Sequence, residues 1–306
     1  MTKTIVAVVV THNRLSLLKR CVESLLCQSY PCDILIIDNA SNDGTESYVR
    51  QTLANQVEYY NPGSNLGGAG GFHIGMRLAV EKGYPYVWIM DDDCLPDEHA
   101  LEKLMEADQL LGGPEHYGFL SSAVLWTDGQ ECVMNRQRIA KDYYNYLELM
   151  CHGVIRVVQA TFVSLLFPAA TIQRFGLPYK EYFIWGDDIE YTRRIAMRGG
   201  VPCFMVGQSQ VVHAMKQNVG SDISIDDLSR MPRYRLSVRN EFFTYHRQGV
   251  RGVCLYYARC LRSLFWICTK SKDHRILRAA TLFSGMIAGP FFRPKVEYLP
   301  NETNLE

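Results

Sequence analysis

Short runs of β-branched and aliphatic residues alternate with segments whose apolar positions recur every three or four residues. Residues 5–10 form a continuous apolar run, which suits a strand buried on both faces. Leu18, Val22, Leu25 and Leu26 then share one side of a helix predicted over 15–26. A second buried strand is predicted over 33–37, a helix over 45–53 and a short strand over 57–60. This β-α-β-α-β order with short loops predicts a parallel, doubly wound sheet. The run 87–90 reads as another buried strand, and a helix starts near Pro96 and Asp97 and continues to about 111. Strands are expected over 119–126, 154–167, 201–206 and 210–212, with a helix after residue 187. The last third changes character, with helices predicted over 233–248, 251–270 and 275–292.

These elements give an α/β class, a mixed and mostly parallel sheet flanked by helices, with a C-terminal helical appendage. Residues 1–220 are expected to form the main domain and 221–306 the helical region. With 306 residues the chain can bury a large core. Lys and Arg together number 32, as do Asp and Glu, so charge gives no signal for nucleic acid. Ten cysteines occur without a C-x-x-C pair, and Met1-Thr2-Lys3-Thr4 leads straight into a strand without a signal peptide. Reduced thiols and a cytosolic location are therefore expected. No apolar stretch is long and clean enough to cross a bilayer.

Ligands of such sheets sit at the carboxyl ends of the strands. Asn13, Asp38 and Asp91-Asp92-Asp93 all fall there. Three adjacent carboxylates repel one another, and a hard divalent cation such as Mg²⁺ or Mn²⁺ compensates that repulsion. The alternative is a solvated acidic loop that caps the following helix. Asn65-Leu66-Gly67-Gly68-Ala69-Gly70-Gly71-Phe72 offers backbone N–H groups to a phosphate, or lets a sugar ring lie against the chain. It also reads as a flexible turn before a helix carrying Ile74, Met76 and Leu78. It is not a P-loop, because no Lys-Ser/Thr pair follows.

A second carboxylate cluster lies in Phe183-Ile184-Trp185-Gly186-Asp187-Asp188-Ile189-Glu190. Acids in a first helical turn favour the helix dipole, and burial beside apolar residues makes a carboxylate a better proton acceptor. Tyr191, Ile195 and Ala196 are expected inward, with Arg193, Arg194 and Arg198 outside. His213 follows a strand downstream of both acid clusters and suits a third metal ligand. Tyr143, Tyr144 and Tyr146 suit either an aromatic wall for a sugar or core packing. In the helix over 251–270, Arg251, Arg259, Arg262 and Lys270 share one face. Two readings stay open there: contact with an anionic membrane surface, or packing on the main domain or a second subunit.

The ordered set Thr11-His12-Asn13-Arg14, Asp38-Asn39-Ala40-Ser41, Asn65-Leu66-Gly67, Asp91-Asp92-Asp93, Gly186-Asp187-Asp188 and His213 resembles family 2 glycosyltransferases of the GT-A fold. Within them, the glycine stretch and triple Asp look like the galactofuranosyltransferase branch, and bacterial rhamnosyltransferases look similar. The resemblance implies an inverting transfer of a hexosyl unit from a nucleotide sugar to a glycan acceptor, lipid-linked in cell-surface polysaccharide synthesis. It implies UDP-galactofuranose as the first choice of donor, and dTDP-rhamnose or another UDP-hexose as the second.

It also implies roles for single residues. Thr11 and Asp38 contact the nucleoside, and Asn13, Arg14, Asn65, Gly67, Gly68, Gly70, Gly71, Asp91 and Asp92 complete the donor site. Asp91, Asp93 and His213 bind Mn²⁺ or Mg²⁺. Asp188, or else Asp187, is the base, and Trp185 and Trp126 face the acceptor. Two other classes compete: a metal-dependent phosphatase or nucleotidyltransferase, and a non-catalytic nucleotide-sugar-binding subunit that would not need Asp188.

Overall fold

The computed structural model describes residues 4–299. The first strand, β1 (Ile5–Thr11), is buried along its whole length. It is followed by α1 (Leu15–Leu26), β2 (Asp33–Asp38), α2 (Thr45–Thr52), β3 (Glu58–Tyr60), α3 (Gly67–Glu81) and β4 (Tyr86–Asp91). Then come β5 (Cys94–Pro96), α4 (Ala100–Leu110), β6 (Leu120–Leu125), β7 (Arg138–Ile139), α5 (Leu147–Met150), β8 (Val154–Gln159) and β9 (Leu165–Pro168). The chain continues through α6 (Ala169–Phe175), α7 (Asp187–Arg193), β10 (Phe204–His213), α8 (Met231–His246), α9 (Gly249–Lys270) and α10 (Arg275–Ala288).

The strands form one mixed sheet in the order β3-β2-β1-β4-β9-β6-β10-β8-β7, with β5 added against β10. Its β3-β2-β1-β4 half is parallel. Alternate residues of β1 point to opposite faces, as the pleat requires. Ile5, Ala7 and Val9 join Leu18, Val22, Leu101 and Leu104 of α1 and α4 on one side. Val6, Val8 and Val10 join Phe72, Ile74 and Met76 of α3 on the other. Covering both faces explains why the strands read as unbroken apolar runs.

Four expectations need correction. The run 154–167 is two strands, not one. β8 pairs antiparallel with β10, and β9 lies between β4 and β6, so the chain turns between two separate places in the sheet. The break falls at Gln159, Thr161 and Ser164, isolated polar positions that do not stand out as a turn in a largely apolar segment. Conversely, the two short strands expected over 201–212 are one strand, β10, whose register shifts between Val206 and Gln210. The helix expected from Pro96 starts only at Ala100, because residues 94–96 pair with the end of β10. That pairing sets His213 opposite Cys94, beside the triple Asp.

The glycine stretch, finally, is the first turns of α3 rather than a loop. A Cβ at Gly71 would collide with Val10 of β1, so glycine there lets the helix lie close on the sheet. Gly67 sits at φ 72°, and a Cβ there would collide with the Phe183 carbonyl.

The three C-terminal helices share an apolar cluster of their own, with Tyr234, Val238, Phe242, Tyr256, Ile267 and Leu282 buried in it. Buried Arg278 of α10 donates to the Ile223 and Asp226 carbonyls, tying the helices to the preceding loop. The last helix is shorter than expected, ending at Ala288 before a 3-10 turn over Gly289–Phe291.

Candidate active site

Strand ends, the start of α3, the start of α7 and the helices α8 and α9 surround a cleft of about 1280 Å³. On one wall β1 and β4 run parallel with Val10 opposite Asp91, which brings Thr11 next to the triple Asp. The Thr11 hydroxyl donates to Asp92 Oδ2 at 2.7 Å. Arg14, at the start of α1, donates to Asp92 at 3.2 Å and to Asp93 at 2.8 Å. From β10, His213 places Nε2 3.1 Å from Asp93 Oδ1, while its Nδ1 donates to Asn135 Oδ1 at 2.7 Å.

With an oxygen acceptor at each nitrogen, the ring is an imidazolium in this arrangement. Burial opposes its charge, but the bonds to Asp93 and Cys132 and the charges of Asp93 and Asp91 carry it up to about 10. Asp93 itself is held below the ordinary carboxylate value: burial raises it, but His213 and Arg14 outweigh burial. Asp91 is pushed well up by burial, then by Asp93.

This donor set fits a divalent cation in part. Asp93 supplies a carboxylate, and Asn135 already orients His213 through its other ring nitrogen, as the hydrogen-bond partners of metal-binding histidines do. A cation between the two would take the place of the shared proton. Asp91 adds charge, but among the described residues no three His, Cys, Asp or Glu side chains are arranged to hold a metal ion.

The facing wall carries the second acid pair. The loop before α7 is strained, with Phe183 at φ 64°, Trp185 at 63° and Gly186 at 92°. Aromatic side chains rarely adopt such angles unless the surroundings impose them. Here Asn240 of α8 imposes them. Its amide donates to the carbonyls of Tyr182, Ile184 and Trp185 at 3.0, 3.2 and 2.9 Å. Ala69 of α3 also donates its N–H to the Phe183 carbonyl.

Asp187 is buried and Asp188 partly open to the cleft. Burial and the charge of Asp188 push Asp187 up to about 8. Burial pushes Asp188 up to about 6, against the Ile189 N–H that donates to it at 2.7 Å. Burial and mutual repulsion thus favour a single proton shared by the pair, with the deeper Asp187 the more strongly lifted.

The expected outward arginines are corrected in part. Arg194 is buried and clasps buried Glu190, because an unpaired carboxylate there would be costly. Arg193 lines the cleft and donates to Gln159 at 2.9 Å. Of the other expected site residues, Asn13, Asn65, Gly67, Gly68, Asp91, Asp92, Asp93 and Trp185 line the cleft.

Four do not line it. Asp38 is buried and accepts from the Tyr59 hydroxyl at 2.7 Å and the Ser41 N–H at 2.9 Å. Gly70 and Gly71 are covered inside α3. Trp126 donates to the Met215 carbonyl at 2.8 Å, pinning the segment after His213. Tyr143, Tyr144 and Tyr146 build no wall of the cleft; Tyr146 packs on Phe204.

The cleft's C-terminal wall went unassigned in the sequence: Lys216, Arg230, Arg233, Tyr234, Tyr245, Arg259, Arg262 and Trp266. Arg259 and Arg262 were legible as a basic face, but that face turns into the cleft. Arg259 pairs with Glu241 at 3.2 Å. Arg262 and Lys270 lie over the Trp266 ring at 5.0 and 4.0 Å.

Residues 6–110 match the model of glycosyl transferase family 2. Over 259 residues the chain is 30% identical to galactofuranosyltransferase GlfT1 of Mycobacterium tuberculosis (strain CDC 1551 / Oshkosh), covering 81% of this chain and 82% of that one. It is 28% identical to GlfT1 of Mycolicibacterium smegmatis over 267 residues, with the same coverage. Among solved structures, GalNAc-T7 with UDP, GalNAc and Mn²⁺ superposes with a TM-score of 0.59 at 16% identity, over 80% of this chain and 50% of that one. A Pyrobaculum calidifontis mannosyltransferase with GDP-Man and Mn²⁺ gives 0.54 at 17% identity, over 94% and 75%. These structures share the GT-A fold with the chain.

Proposed function

Because the chain belongs to glycosyl transferase family 2, and so is a glycosyltransferase, we propose that it moves galactofuranose from UDP-galactofuranose to a glycan acceptor with inversion. The observation that carries this reading is the cleft itself. Asp93, His213 and Arg14 converge on one wall, and a strained loop presents Asp188 on the other. The name of the relatives supports galactofuranose as the sugar.

In this reading the diphosphate lies on the Asp93 side, where Asp93 and His213 would hold Mn²⁺ or Mg²⁺. When bound, the cation neutralises the departing diphosphate. Arg14 leaves the carboxylates and pairs with diphosphate oxygens, as guanidinium groups readily do. The acceptor hydroxyl gives its proton to ionised Asp188. Its oxygen then forms the new bond to the anomeric carbon as the bond to the diphosphate oxygen breaks. One displacement inverts the centre, and UDP leaves. Trp185 offers a wall for the acceptor. Thr11, Asn13, Asn65, Gly67 and Gly68 shape the donor end, and the helices α8 and α9 close the cleft on its other side.

The exposed apolar sides of α9 and α10 support peripheral attachment to a membrane carrying a lipid-linked acceptor. No helix among the described residues is long and apolar enough to cross one.

The test is a thermal-shift series with UDP-galactofuranose and dTDP-rhamnose, with and without Mn²⁺, on the wild type and Asp93→Ala. A ligand of the native state raises its melting temperature by mass action. UDP-galactofuranose should do so with Mn²⁺ in the wild type only. A larger shift with dTDP-rhamnose would move the assignment to rhamnosyl transfer. An Mn²⁺-dependent shift surviving in folded Asp93→Ala would remove Asp93 from the metal site.

A further inference from the structure

Helix α9 has three faces rather than two. Tyr256, Cys260 and Ile267 are buried in the helical cluster. Val250, Leu261 and Phe265 are exposed at 81, 67 and 64%. Between these faces, Arg259, Arg262 and Trp266 look into the cleft. Across from them stands Arg193, roughly a turn and a half after Asp188 in sequence. Arg193 and Arg259 each lie over the ring of Tyr245, at 5.8 Å from its centre, so one tyrosine carries two guanidinium groups.

The carboxylates near them do not balance this charge. Glu241 is engaged by Arg259. Arg193 bonds to the neutral amide of Gln159, and among the described residues Arg262 meets only the Trp266 ring. Asp188 partly offsets Arg193, and Arg138 of β7 adds another positive charge nearby. Burial, and behind it the charges of Arg138 and Arg259, hold Arg193 below its ordinary pKa despite the pull of Tyr245. Partly buried cations that repel one another are costly unless an anion joins them. The donor diphosphate has a cation of its own in Arg14, on Asp92 and Asp93, with Arg233 near it, while Arg230 is paired with Asp226 and lies over the Trp185 ring.

We propose that Arg193, Arg259 and Arg262 form a second anion site that holds a phosphoryl group carried by the acceptor. The planar, forked guanidinium matches phosphate oxygens two at a time. The site lies on the Asp188 side of the cleft, so an anion bound there steers the hydroxyl of the same molecule toward the base. The apolar face of α9 adjoins it on the wheel, so an apolar chain attached to that phosphate could leave along the helix. The inference rests on the reading of Asp188 as the acceptor side.

The test uses the full chain saturated with UDP and Mn²⁺, so that the donor site is filled. Octyl phosphate, inorganic phosphate and octanol are titrated by calorimetry, and phosphatidylglycerol vesicles by co-sedimentation. Octyl phosphate should bind the wild type, octanol should not, and Arg193→Gln and Arg262→Gln should each weaken it about tenfold. UDP affinity should stay unchanged in both variants, and both should remain folded. Absence of octyl phosphate binding, or equal binding by the variants, would overturn the site. Vesicle binding that depends on these arginines while octyl phosphate is ignored would also overturn it, in favour of a lipid headgroup. If UDP itself does not bind, the donor reading fails, and arginine-dependent octyl phosphate binding by the UDP-free protein still upholds the anion site.

Discussion

Asp187 and Asp188 are neighbours with different surroundings, and the difference sorts their roles. Asp187 is buried and lifted to about 8 by burial and by the charge of Asp188. Asp188 is lifted only to about 6 and opens on the cleft. A base works when ionised, so turnover should climb as pH rises through about 6 and level off above it. Asp188→Asn keeps the shape, and its side-chain oxygen can still accept from Ile189. It should lower turnover by about 10²–10⁴-fold, the usual worth of general-base assistance. UDP affinity should hardly change, since the proposed diphosphate site, at Asp93 and Arg14, is on the opposite wall. Asp187→Asn should cost less. Steady-state kinetics with UDP titration checks all three, and wild-type turnover in Asp188→Asn with a loss in Asp187→Asn would make Asp187 the base.

At the scale of elements, the acid pair is aimed by a helix far along the chain. Asn240 of α8 holds three carbonyls of the 182–185 loop and accepts from Arg239 through its own oxygen. Asn240→Ala removes the side-chain donor from the partly buried Ile184 and Trp185 carbonyls, while the Tyr182 carbonyl keeps the Ile184 N–H and Arg239, at a cost of about 1–3 kcal/mol. Denaturant unfolding should show that loss, and turnover should fall further than UDP affinity because Asp188 loses its aim. A loss of stability with unchanged turnover at low temperature would mean that the loop holds its shape without the clamp.

This clamp marks the limit of what the sequence reveals. The strands 5–10, 33–37 and 87–90 were legible because burial on both faces leaves an unbroken apolar run. The residues at their ends were legible because a parallel sheet gathers ligands there. Asp38 was misplaced because position at a strand end does not say which way a side chain turns, and this one turns to Tyr59. Arg194 was misplaced because its buried partner, Glu190, appears only when the helix packs. Arg259 and Arg262 carried the right charge, but a helical wheel gives no bearing relative to the rest of the fold.

For the whole molecule, the outside of α9 and α10 is the surface that bears on membrane contact. On α10, Ile276, Phe283 and Ile287 recur at helical spacing and are 88, 46 and 68% exposed, with Phe291 at 81% just beyond. Val250, Leu261 and Phe265 make a matching stripe on α9. Lys270, Lys272 and Arg275 cluster where the two helices meet, while the nearby Asp273 is taken by Arg278. An apolar stripe next to basic residues is the composition of a helix that lies in the headgroup region of an anionic membrane. The basic face expected to do this from the sequence is partly committed to the cleft, so apolar contact should carry most of the binding.

Burying one Phe or Ile side chain is worth about 1.5–3 kcal/mol. Phe265→Glu combined with Ile287→Glu should therefore lower partitioning onto phosphatidylglycerol vesicles by at least about a hundredfold. Raising salt should lower it far less, because screening acts only on the charges. Co-sedimentation with vesicles measures both effects. If the double variant binds as well as the wild type, the stripes are not a membrane face. If it instead converts a dimer to a monomer in sedimentation velocity, they are the contact between two copies of this chain.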